Sequence, residues 1–168
     1  IPVVASSSAA RMVKKLEFKT VLELKPGIKT QIDHLTVEAT AGAPVPNIEN
    51  GYILTHPMGS LYLEPHGYLD KKASSQQLDA VITPVVNLSL PLAGSFIKGK
   101  NVLPELLNRF QPLTVLSSTI GGDAKFTGLL SKLIKMTGST KEAEGRLTEG
   151  TMLVDPIPYQ RYILRTHE

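Results

Sequence analysis

Lys14-Lys15-Leu16-Glu17-Phe18-Lys19-Thr20-Val21-Leu22-Glu23-Leu24-Lys25 alternates along its whole length. Leu16, Phe18, Leu22 and Leu24 share one parity, with Thr20 the single gap. Lys15, Glu17, Lys19, Glu23 and Lys25 share the other. A period of two sets the first group on a packed face and the second in water, which predicts one long half-buried strand. Pro26-Gly27 follows at once. The pair suits a type II turn, because proline presets one φ and glycine supplies the positive one. The scaffold therefore reads as β-rich, and the alternation names no reaction.

Downstream, a second strand is expected from Ile28 to Thr40. Its alternation slips, from even parity at Ile28 and Ile32 to odd at Leu35, Val37 and Ala39, which predicts a β-bulge near Asp33-His34. Residues 41–50 form a loop, since Pro44 and Pro46 bar a central strand. Tyr52 to Thr55 and Leu61 to Leu63 read as short strands around His56-Pro57-Met58-Gly59. Leu78 to Leu92 is strongly β-like but broken by Pro84 and Pro91, so it reads as an edge strand or two short ones.

Helical signals come late. Asn101 to Phe110 places Leu103, Leu106, Leu107 and Phe110 on one face. Asp123 to Thr137 carries a wide apolar stripe ended by Gly138. Polar residues 139–150 read as a mobile loop, and Met152 to Val154 and Ile157 to Leu164 as closing strands. Strands first, two helices late and a returning strand imply an α+β fold. The expected sheet is mainly antiparallel, sandwich-like or partly open. Residues 1–13 read as an N-terminal arm and residues 14–168 as a single β-rich domain.

At 168 residues the chain is long enough to bury roughly 68–70% of its unfolded surface without a staple. It has no cysteine, which excludes disulfides, thiolate metal sites and cysteine nucleophiles. It has no tryptophan and few aromatic residues, so stacking platforms for bases or sugars are not expected. The net charge of +3 is mild, and its placement carries more meaning than its size. Arg11, Lys14 and Lys15 begin one basic group, and Lys98 and Lys100 flank a glycine in another. These five are the candidate anion-binding residues, for phosphate on nucleic acid or on acidic lipid. No apolar run is long enough to cross a bilayer.

Catalytic spacings are missing. Neither HxH nor HExxH occurs, no G-x-S-x-G elbow is completed, and the Walker pattern is absent. No cofactor and no metal ligand set is assigned. The reading that follows is a non-enzymatic structural or assembly protein. It would self-associate on nucleic acid or an anionic membrane surface, with a viral matrix or coat protein as the favoured form. Two alternatives stand beside it. One is a small metal-dependent hydrolase using His34, His56, Glu64 and His66, because histidine and carboxylate ligands on neighbouring strands can build an open metal site. The other is an accessory subunit or adaptor of a larger organellar complex.

Overall fold

The computed structural model describes residues 1–44, 49–118, 127–128 and 132–167. The fold is α+β and mostly sheet. Its main sheet has seven strands in the order β12-β10-β7-β6-β5-β4-β3. These are β3 (Lys29–Ile32), β4 (Leu35–Ala41), β5 (Asn50–His56), β6 (Gly59–Leu63), β7 (Ala80–Thr83), β10 (Thr114–Ser117) and β12 (Met152–Val154). One half is an antiparallel meander from β3 to β6. The other half is parallel, with β6, β7, β10 and β12 running the same way. A two-stranded sheet pairs β1 (Val3–Ala5) with β2 (Val21–Glu23). A third sheet joins β8 (Asn87–Leu90), β9 (Gly94–Lys98) and β11 (Lys135–Thr137).

Helix α2 (Gly99–Phe110) covers one face of the main sheet. Leu106 and Phe110 pack with Ile53, Tyr62 and Val81, and the Tyr62 and Phe110 rings lie 4.8 Å apart. Leu103 and Leu107 pack with Val115, Leu88 and Ile97, joining the third sheet to the same core. Pro104 lies inside the helix and has no N–H for the carbonyl of Lys100. Arg146 fills that vacancy, its Nη1 donating to Lys100 O at 3.2 Å. Gln111 ends the helix in the left-handed region, its N–H donating to Leu107 O at 2.9 Å. On the opposite sheet face, Val37 and Ala39 pack with Leu24 and Val4.

The opening stretch is not one strand. Residues 7–14 form helix α1, capped by Ser6, whose side chain accepts from Ala9 N at 3.3 Å. Only Val21–Glu23 of the alternating run is extended, and Leu16 and Phe18 are 69% and 49% exposed. The cap and the alanines Ala9 and Ala10 favour helix locally, and among the described residues no partner strand lies beside Leu16 to Lys19 to reward extension.

The parity slip near Asp33-His34 is a chain reversal, not a bulge. Ile32 pairs with Leu35, so Asp33 and His34 are the two loop residues of a tight hairpin, and Asp33 takes φ 52°. Lys29 and Glu38, opposite each other in register, form a cross-strand ion pair at 2.9 Å. The hairpin around His56 and Gly59, the two short strands flanking Pro84, helix α2 and β12 lie where the sequence places them. Residues 140–144 form a short helix, α3, capped by Ser139, where a loop is expected. Residues 123–126 and 129–131 of the expected helix from Asp123 to Thr137 lie outside the described residues, and its end, Lys135–Thr137, is the strand β11. No strand forms in residues 157–164.

Candidate functional site

The parallel half fixes the direction of the sheet. The carboxyl ends of β4, β6, β7 and β10 and the amino end of β5 all lie on one edge. In open α/β sheets, ligands sit outside the carboxyl ends of the strands. Here that edge carries Glu64, the residue after β6, and His66 two residues on.

Glu64 is fully buried. Its Oε2 accepts from the backbone N–H groups of His66 at 3.0 Å and Tyr68 at 2.6 Å. Its Oε1 has no hydrogen-bond partner among the described residues. Burial pushes the carboxyl above its usual range, and the hydrogen bonds from Tyr68 and His66 and the imidazole's charge only partly oppose this. The turn Glu64-Pro65-His66 bends the chain back so that His66 Nδ1 stands 3.6 Å from Glu64 Oε1. The same nitrogen lies 3.7 Å from Glu49 Oε2, which comes from the connection into β5. His66 Nδ1 is itself buried and has no hydrogen-bond partner among the described residues, while the side chain as a whole is a quarter exposed.

Close backbone packing holds this turn. His66 O accepts from Lys98 N at 3.0 Å. A Cβ on Gly67 would lie 2.3 Å from Gly99 N, and one on Gly99 would lie 1.9 Å from Pro84 O. The loop after β6, the start of α2 and the loop after β7 therefore meet where no side chain fits. Glu64, Thr83 and Ser117 share one sheet face at successive strand ends. Thr83 Oγ1 and Ser117 Oγ, like Glu64 Oε1, are buried without a partner among the described residues. Such groups are matched in proteins by ordered water or a ligand.

The histidine and carboxylate quartet of the alternative metal-dependent reading, His34, His56, Glu64 and His66, is divided by the sheet. His56 ends β5 and His34 lies in the β3–β4 turn, both at the edge opposite Glu64, with ring centroids 6.4 Å apart. A cavity of about 470 Å³ at that opposite edge is lined by His56, Ser60, Asp79 and His167. Asp79 there is fully engaged. It accepts from Ser60 N at 2.6 Å, Ser60 Oγ at 2.9 Å and His167 N at 2.5 Å. Burial opposes its ionisation, but these bonds outweigh burial and hold the carboxyl below its usual range.

The five expected anion-binding residues fall on two elements. Arg11, Lys14 and Lys15 are exposed in and just after α1, which packs on β1 and β2. Lys98 and Lys100 flank Gly99 at the start of α2, and Lys100 is paired with Glu142 at 3.0 Å. Sequence reasoning missed Glu49 and the Thr83–Ser117 row. Their only signal is strand register, which a single sequence does not display.

No protein-family model matches the sequence, and no curated protein matches it. Solved structures do match. YhfI from Bacillus subtilis, a metallo-β-lactamase fold protein, superposes with a TM-score of 0.60 at 12% identity, over 92% of this chain and 62% of its own. A candidate metal-dependent hydrolase from Parabacteroides distasonis gives 0.56 at 15% identity, over 91% of this chain and 63% of its own. CmlA, a diiron β-hydroxylase from Streptomyces venezuelae, gives 0.50 at 12% identity, over 71% of this chain and 31% of its own. The chain thus spans about three-fifths of the length of the first two. All three names carry a metal, and the residues described here do not fit one. No three His, Asp or Glu side chains among the described residues converge as ligands, and Pro84, Val85 and Val86 after β7 offer no ligating side chain. The likeness nonetheless overturns the reading as a non-enzymatic viral matrix or coat protein that only self-assembles. The chain has the fold of the metallo-β-lactamase fold protein YhfI.

Proposed function

We propose that this chain is a hydrolase-type catalytic domain whose reaction centre lies at the carboxyl edge of the main sheet. The observation that carries the reading is Glu64: a wholly buried carboxylate with one oxygen unbonded, 3.6 Å from an imidazole nitrogen. Burying such a group without full pairing costs several kcal/mol, by the order of magnitude found for buried charges. Perturbed carboxylates of this kind concentrate at functional sites. The fold likeness to hydrolase-type proteins supports the same reading.

In chemical terms, Glu64 orients His66. A carboxylate facing Nδ1 holds the proton there and leaves Nε2 as the lone pair that can accept a proton from water. The separation of 3.6 Å is long for a hydrogen bond, and acid–base contacts of this kind commonly tighten only when substrate binds. Water activated at Nε2 attacks the electrophilic centre, and the imidazolium then returns its proton to the leaving group. Hydroxyls of Thr83 and Ser117 stand in the same row as Glu64 and supply donors for bound water. A cleft of about 400 Å³ beside the end of β4, lined by Thr40, Tyr68, Asp70, Lys71 and Lys72, opens near this edge.

The test is a panel of activated esters, thioesters, lactones and phosphodiesters, assayed with the wild type and His66→Ala, each with and without a chelator. Turnover by the wild type that survives the chelator and falls about 10²–10⁴-fold in His66→Ala supports the proposal. Turnover equal in both proteins, or none on any member of the panel, rejects it.

A further inference from the structure

We infer that Glu49 is a second positioning carboxylate for His66, and that Glu49 and Glu64 together select the imidazole tautomer protonated at Nδ1. Both carboxylates address one nitrogen, at 3.7 and 3.6 Å. They reach it from different places. Glu64 is inaccessible to solvent, whereas the Glu49 side chain is 40% exposed.

The backbones on both sides are pinned. Gly42 N donates to Glu49 O at 2.9 Å and Glu49 N donates to Ala43 O at 3.1 Å, extending the β4–β5 pairing beyond Ala41 and Asn50. A Cβ on Gly42 would lie 2.8 Å from Glu49 O, so the two chains approach as closely as glycine permits. His66 is held at its N–H by Glu64 and at its carbonyl by Lys98. Only side-chain rotation of under about one ångström separates Nδ1 from hydrogen-bond distance to either oxygen.

A neutral imidazole carries one N–H. Two acceptors at Nδ1 bind that hydrogen there whichever of them is closer at a given moment. The buried acceptor sets the ring orientation. The partly exposed one adds a second acceptor at the same nitrogen without moving Glu64.

The inference extends the acid–base reading of the site, but its test reads the resting protein rather than turnover. Imidazole ¹⁵N shifts of the neutral His66 ring report the tautomer directly. The wild type should show Nδ1–H in about tenfold excess, equivalent to roughly 1.4 kcal/mol. Glu49→Gln should lower that excess about threefold or more, Glu49→Asp should restore most of it, and circular dichroism should be unchanged in both. A wild type dominated by Nε2–H, or a Glu49→Gln ratio equal to wild type, overturns the inference. Because Glu49 is exposed, its variants test it even where Glu64→Gln fails to fold. A correct tautomer in a protein without hydrolytic activity would sink the proposed function and leave the inference standing.

Discussion

Replacing Glu64 with glutamine keeps the side-chain volume and removes the charge. The two backbone N–H groups that bond Oε2, at 3.0 and 2.6 Å, find an equivalent acceptor in the amide oxygen. What changes is the cost of holding a carboxylate away from water. Burial raises the Glu64 carboxyl above its ordinary value of 4.5 in the folded chain. A folded value above the unfolded one means that the folded chain binds the proton more tightly. Stability from this group is therefore fully present below the unfolded value and is lost as pH rises through the folded one. Within that window one proton gives a slope of about 1.36 kcal/mol per pH unit. Glutamine does not titrate. The variant's stability minus that of the wild type should climb by about that slope as pH rises from about 4.5, then level off above the folded value. Urea unfolding at half-unit steps, followed by circular dichroism, measures the difference. A difference that is flat across the range, or that falls as pH rises, refutes the burial argument.

Three further outcomes follow from the packing. Gly99→Ala should destabilise by at least about 1–3 kcal/mol, because its Cβ would lie 1.9 Å from the Pro84 carbonyl, and activity should fall with it; thermal melts and turnover check both. Leu106→Ala should cost about 2–5 kcal/mol in chemical denaturation, since Leu106 is wholly buried against the sheet, while Leu92→Ala, fully exposed, should stay within about 0.5 kcal/mol. Asp79→Asn should free the segment around His167 to faster hydrogen exchange. Its folded value is lowered, so the stability that Asp79 contributes is present above its ordinary 3.8 and lost as pH falls through the folded value. The gap between wild type and Asp79→Asn should therefore be constant in neutral solution and close only in acid.

Local signals carried well where the chain's own neighbours decide the structure. Leu103, Leu106, Leu107 and Phe110 recur at helical spacing and are all buried in α2. Pro84 breaks the apolar run from Leu78 to Leu92 into β7 and β8, as a residue without an N–H must. Signals failed where a distant partner decides. The alternation from Leu16 to Leu24 is a strand pattern, but only Val21–Glu23 has a strand beside it, and Ser6 caps a helix before it. The parity slip at Asp33-His34 fits both a bulge and a two-residue turn, and only the pairing of Ile32 with Leu35 separates them. The parallel pairing of β6 with β7 and of β7 with β10 depends on connections longer than any local pattern. That pairing brings Glu64, Thr83 and Ser117 into one row and sends His34 and His56 to the other edge. Glu64 and His66 were legible as chemistry-bearing residues, and their partner Glu49 was not.

The kcat/KM of the wild type and of His66→Asn, measured side by side on the best substrate of the panel, weighs the proposed chemistry most directly. The wild type should exceed the variant by about 10²-fold or more. Equal values for the two proteins would place the chemistry elsewhere on this fold.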